Sequence, residues 1–186
     1  MPCGGCTACC RSSQFVHIEP DELDTLAHVP DELLFPAPGR PHGHVVLGYD
    51  ERGHCPMLVE DGCSIYAHRP RACRTYDCRV FPASGVTPDK PLVAERAARW
   101  VFSHHDDEAR AEHEAVRAAA RFVGDHPEAV SGSAPVPSTQ RAVLAVELHA
   151  RFLAPDRPPE PDEVRVELER RRRGYGDDCS DGGAGA

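Results

Sequence analysis

Cysteine is the residue type in this 186-residue chain whose spacing carries chemistry. Four of the nine open the sequence in CGGCTACC, at Cys3, Cys6, Cys9 and Cys10. Two bracket CPMLVEDGC, at Cys55 and Cys63, and two close the segment CRTYDC, at Cys73 and Cys78. Cys179 stands apart in a Gly/Asp-rich C-terminal stretch and reads as a free thiol. A C-x2-C loop lets two sulfurs face one ion while main-chain N–H groups turn toward them. Zinc knuckles and iron–sulfur sites share that arrangement. Three cysteines at successive x2 spacings are closer to the ferredoxin run, in which a remote cysteine followed by proline completes the set. Here Cys55 is followed by Pro56. Adjacent side chains diverge, so Cys9 and Cys10 serve two centres, or one of them bridges. Eight sulfurs suffice for two four-sulfur sites, or for one site with reactive thiols to spare. Redox pairs and disulfides are the competing reading. The odd cysteine count and a reducing compartment weigh against a disulfide framework.

Charged neighbours accompany the sulfurs. Arg69, Arg71 and Arg74 crowd between Cys63 and Cys78. Arg69 and Arg74 are the cofactor-site candidates, for offsetting thiolate charge or binding an anionic ligand such as a carboxylate; a solvated turn is the plainer alternative. Pro70 fixes the turn that lets Cys63 and Cys73 converge. His54, directly before Cys55, is an alternative ligand. His104, Glu108 and Glu112 share a helix face with His113 beside it, and read as a polar surface.

These segments together resemble the YkgJ-type cysteine-cluster family, whose pattern runs CxxCxxCC, then CPxL, then GxCxIYxxRPxxCRxYxC. The matching residues are Cys3, Cys6, Cys9, Cys10, Cys55, Pro56, Leu58, Cys63, Ile65, Tyr66, Arg69, Pro70, Cys73, Arg74, Tyr76 and Cys78. The resemblance spans about residues 1–82 and implies a zinc- or iron-chelating domain, with the eight clustered cysteines as ligands. The family also includes flagellin lysine N-methylases. An S-adenosylmethionine-dependent, methyltransferase-like activity is therefore one implied alternative, although the chain shows no Gly-rich nucleotide loop after a strand.

The elements that must position the sulfurs follow from pattern. EPDELDTLAHV reads as a short helix with Pro20 at its first position, and PDELLF as a further helical turn. HVVLGYD and CPMLVE read as two strands of a β-hairpin, and Asp61-Gly62 as a tight turn into CSIY. Residues 92–102, 105–123, 139–153 and 161–173 have helical spacing. In the second of these, Ala115, Val116, Ala119, Phe122 and Val123 form an apolar stripe. The expected fold is α+β. An irregular, metal-stapled cysteine-rich region with a short β-hairpin (1–82) precedes an α-helical region (83–173) and a disordered tail (174–186). A segment so poor in large apolar side chains draws folding energy from bound metal.

The net charge of −9 argues against general binding to nucleic acid or anionic membranes. No run approaches the roughly 18 apolar residues of a membrane span, and the N-terminus lacks the pattern of a secretory signal. The cytoplasm is the expected compartment. The composite expectation is a metal-binding protein with iron or an iron–sulfur cluster in a redox, sensing or chemical role. A structural zinc module that docks a protein partner is the alternative.

Overall fold

The computed structural model describes residues 5–60, 62–131, 134–153, 157 and 159–177, with side chains in the last helix described through residue 170. Cys3 and Cys179 lie outside these residues, as do residues 178–186 of the expected tail. By its contacts the chain divides into two compact units, Met1–Cys78 with Asp89–Arg99, and Arg79–Pro88 with Trp100–Ala186.

In the first unit, three short strands form an antiparallel sheet in the order β1 (Val16–Ile18), β3 (Val45–Leu47), β2 (Leu34–Pro36). Val16 pairs with Leu47, and Leu34 pairs with the same Leu47 from the other side. β-Branched and apolar side chains favour these extended stretches. Pro36, which cannot donate to a ladder, stands on an edge strand. Ile18 and Leu47 are fully buried and join Val29, Met57 and Ile65 in a core. Between β1 and β2 lie a one-turn helix α1 (Leu23–Leu26) and a 3-10 turn at Asp31–Leu33. Thus EPDELDTLAHV yields only one helical turn, and PDELLF runs from a 3-10 turn into a strand.

The expected pairing of HVVLGYD with CPMLVE does not form. Both edges of β3 are taken by β1 and β2. CPMLVE instead contributes β4 (Leu58–Val59), which pairs with β5 (Gly62–Cys63) in a separate hairpin. The main chain just before β4 is claimed by the N-terminal segment: Cys55 N–H donates to Cys10 O at 2.7 Å, and Ser13 N–H to Gly53 O at 2.8 Å. A 3-10 turn at Tyr66–His68 then leads to α2 (Arg71–Thr75).

The second unit begins with α3 (Val80–Ser84), which ends at Gly85 in a left-handed conformation. The chain returns to the first unit as α4 (Pro91–Ala97), shorter than the expected 92–102 helix, with Pro91 at its first turn. Helices α5 (Asp107–Asp125), α6 (Glu128–Ser131), α7 (Ser138–Leu148) and α8 (Pro161–Asp177) complete the second unit. Asp106 caps α5 by accepting the Ala109 N–H at 2.8 Å. The apolar stripe lies as the spacing requires: Ala115, Ala119 and Val123 are buried, and Val116 and Phe122 pack at the margin. Ala145 and Leu148 of α7 and Val164 and Leu168 of α8 share this core. Small alanines let helices approach closely, and the larger side chains fill what remains. Among the described residues, no helix is long and apolar enough to cross a membrane.

Candidate metal centre

Short elements bring the three cysteine groups together in the first unit. Cys9 and Cys10 lie on a 3-10 turn, Cys9–Arg11, that packs against α4. The segment around this turn is tied down by polar contacts. Ser12 Oγ donates to Ala8 O at 2.5 Å, Arg11 Nε to Thr7 Oγ1 at 3.1 Å, and an Arg11 terminal nitrogen to Glu60 O at 3.2 Å. With the bonds at Cys10 and Ser13, they show that the N-terminal segment is held by its backbone as well as by whatever its sulfurs bind.

Cys55 sits at the end of a loop organised by Asp50. One Asp50 oxygen accepts the N–H of Arg52 at 2.9 Å and that of His54 at 2.8 Å. His54 N–H and then the Arg52 side chain hold the Asp50 carboxyl below the usual carboxylate range. His54 thus enters the site through its backbone. Burial pushes the Cys55 thiol up, and the backbone N–H groups of Met57 and Leu58 oppose that push. Cys63 stands opposite Leu58 in the β4–β5 hairpin, and Cys55 and Cys63 both pack against the Ile18–Leu47–Met57–Ile65 core. The core therefore serves as the anvil of the site. Cys73 lies in α2, and Cys78 follows it.

The sulfurs share one electrostatic environment. The Cys10 thiol is pushed up to about 12 by burial and then by Cys9, Cys55, Cys63 and Cys6. The Cys73 thiol is also pushed up to about 12, by the protein atoms crowded around it and then by Cys10, Cys55, Cys63 and Cys9, although the residue keeps an exposed edge. Tyr76 is raised above its ordinary range by burial, then by Cys9 and Cys78, which places that pair on the Tyr76 side. Thiols that oppose one another's ionisation in this way are a site a cation would complete, because a coordinating metal deprotonates them outright. The donor set suits the softer ions that thiolates select.

Spacing adds a second constraint. Among the described residues, no three sulfurs lie within 4.8 Å of one another. In a tetrahedral four-thiolate site with bonds of about 2.3 Å, neighbouring sulfurs stand about 3.8 Å apart. The cysteines are gathered, but more widely than a single small ion requires.

The two arginines face other groups. An Arg74 terminal nitrogen stands 3.8 Å from Glu22, whose side chain is only 2% exposed. Glu22 also accepts the Arg71 N–H at the start of α2 and the Glu19 N–H. The guanidinium of Arg69 lies over the Tyr66 ring, 3.6 Å from its centroid. Its Nε is buried with no hydrogen-bond partner among the described residues. The buried Glu22 escapes a reading of the sequence because nothing local marks EPDEL as other than a solvated helix start. Asp50 and Gly53, by contrast, form a readable turn signal before Cys55.

Residues 2–100 match a protein-family model, CxxCxxCC, described as "Putative zinc- or iron-chelating domain". No curated protein and no solved structure matches the chain. The matched region takes in every clustered cysteine and ends one residue beyond Arg99, where the first unit's returning segment with α4 also ends. A match over more than half of the chain, on the unit that carries the clustered cysteines, makes this protein a member of the CxxCxxCC family of zinc- or iron-chelating domains.

Proposed function

We propose that the eight cysteines Cys3, Cys6, Cys9, Cys10, Cys55, Cys63, Cys73 and Cys78 hold iron as an iron–sulfur cluster, in a redox or sensing role. The observation that carries this reading is the combination of shared electrostatics and wide spacing. Cys9, Cys55, Cys63 and Cys6 raise the Cys10 thiol, and Cys10, Cys55, Cys63 and Cys9 raise that of Cys73, yet no three described sulfurs crowd to the distance of a single-ion site. A 4Fe–4S cluster puts each of its four cysteines on a different iron and so holds them farther apart than one ion does. N–H groups directed at a sulfur, as at Cys55, are a lever by which proteins raise cluster potentials. When bound, the cluster supplies one-electron chemistry. The chain's own residues supply the thiolates, the N–H donors at Cys55 and the wall formed by Met57 and Ile65.

Metal and sulfide analysis of anaerobically purified protein tests this directly. Iron with acid-labile sulfide and visible sulfur-to-iron charge-transfer absorption is the expected result. Stoichiometric zinc with neither feature would replace the cluster by a structural zinc site. Cys179→Ser should leave the metal content unchanged, whereas Cys55→Ser and Cys10→Ser should lower it.

A further inference from the structure

We propose that Asp24, His28 and His68 form a second metal site, built from nitrogen and oxygen donors, for a borderline divalent ion such as Zn2+, Ni2+ or Co2+. Among the described residues, this is the one group of three or more His, Cys, Asp or Glu side chains whose ligand atoms all lie within 4.8 Å of one another. It shares no residue with the cysteine motif.

Two elements supply the donors. Asp24 lies in α1 and His28 just beyond it, four residues apart and so on one side of the turn. His68 ends the 3-10 turn at Tyr66–His68. The two backbones are held together independently of the donor side chains. Thr25 Oγ1 donates to the His68 carbonyl at 2.9 Å, and Glu22 accepts the Arg71 N–H.

The geometry places both imidazole Nδ1 edges on the Asp24 side. His68 Nδ1 stands 2.9 and 3.1 Å from the two Asp24 carboxylate oxygens. His28 Nδ1 stands 2.7 Å from the Asp24 carbonyl oxygen and 3.8 Å from its carboxylate. The two rings are stacked, with centroids 3.6 Å apart and planes 7° from parallel. Without an ion, each Nδ1–H donates to an Asp24 oxygen, so an ion takes these nitrogens once the rings hold their proton on Nε2 instead; two imidazole nitrogens and one carboxylate oxygen then suit Zn2+, Ni2+ and Co2+, and leave further positions for water. A single ion cannot lie in the planes of two parallel stacked rings, so one ring turns about its Cβ–Cγ bond on binding. Side-chain exposures of 41% for His28 and 38% for His68 leave room for that rotation. The ion would clamp α1 to the turn that leads into Cys73.

Cobalt titration of the protein as purified, with its cysteine centre filled, is the test. One further equivalent of Co2+ should bind, with a ligand-field spectrum lacking sulfur-to-cobalt charge transfer. The signal should vanish in the double variant His28→Ala/His68→Ala, weaken about tenfold or more in Asp24→Asn, and persist in His105→Ala. In the wild type, Co2+ should also broaden the ring protons of His28 and His68 in NMR spectra. If circular dichroism shows the double variant misfolded, Asp24→Asn and His68→Gln decide by the same readout. The proposal is overturned by the absence of an extra equivalent, by thiolate charge transfer in its spectrum, or by equal affinity in wild type and variants. Difference spectra against the same sample before cobalt addition, and against the double variant with the same cysteine centre, remove the contribution of whatever metal the cysteines hold.

Discussion

At Gly53 the backbone takes a φ of +76°, and a Cβ built there would lie 2.3 Å from the Ser13 hydroxyl. That contact accompanies the Ser13–Gly53 backbone bond two residues before Cys55. Gly53→Ala should therefore combine left-handed strain with a clash, cost about 1–3 kcal/mol, and reduce metal retention as the N-terminal segment lifts. Gly62→Ala is the control, because nothing lies within 4 Å of its built Cβ. Thermal unfolding and metal content of the two variants should diverge; equal behaviour would remove Gly53 from the site's support. The arginines separate at the same scale. Arg74 faces the buried Glu22, so Arg74→Gln should lower stability and leave a cluster potential nearly unchanged. Arg69 has a buried, unpartnered Nε. For the proposed cluster, Arg69→Gln should lower the potential, because the reduced, more negative state loses a cation whose Nε makes no other hydrogen bond among the described residues. Redox titration beside Arg117→Gln measures both.

Short elements do the positioning. Helix α2 has five residues and no side chain of its own capping its start. The buried Glu22 of the α1 segment accepts the Arg71 N–H instead, and Arg71 also pairs with Glu19 and Asp21. Glu22→Ala should leave that N–H unsatisfied and cost about 1–3 kcal/mol. The loss should appear in denaturant unfolding together with faster hydrogen exchange in α2. The long helix α5 is capped in the ordinary way, and Asp106→Ala should cost about 1 kcal/mol. The same experiment on that variant should leave the metal content untouched. A fall in metal content would show that the helical unit supports the site.

The two units differ in what holds them. The second has a continuous apolar core across α5, α6, α7 and α8. The first has a small core of Ile18, Val29, Leu47, Met57 and Ile65, with Cys55 and Cys63 against it. Burial alone stabilises so small a core weakly, and on the proposed reading bound metal would add to it. Stripping the metal with a chelator under reducing conditions should therefore release amide protection around Val16–Ile18, Val45–Leu47 and Leu58–Cys63, while α5 and α7 keep theirs. Hydrogen exchange followed by mass spectrometry reads this directly. Unchanged protection in verified metal-free protein would mean that the small core suffices.

Spacing along the chain singled out Cys3, Cys6, Cys9, Cys10, Cys55, Cys63, Cys73 and Cys78 as candidate ligands, and the family that their pattern resembles is the one that matches. Metal-ligand motifs are local, and a C-x2-C turn needs no distant partner to be recognised. The α5 stripe was legible for a similar reason, since helical periodicity records which face is buried. Strand pairing was not legible. β3 could have met CPMLVE by pattern alone, and it was excluded because β1 and β2 occupy both its edges and the 10–13 segment takes the main chain of Gly53 and Cys55. The partners of Arg74, the capping role of Glu22 and the meeting of His28 with His68 also join residues 40 or more positions apart. Such pairs leave no periodic trace, because the proximity that creates them exists only once the chain has folded.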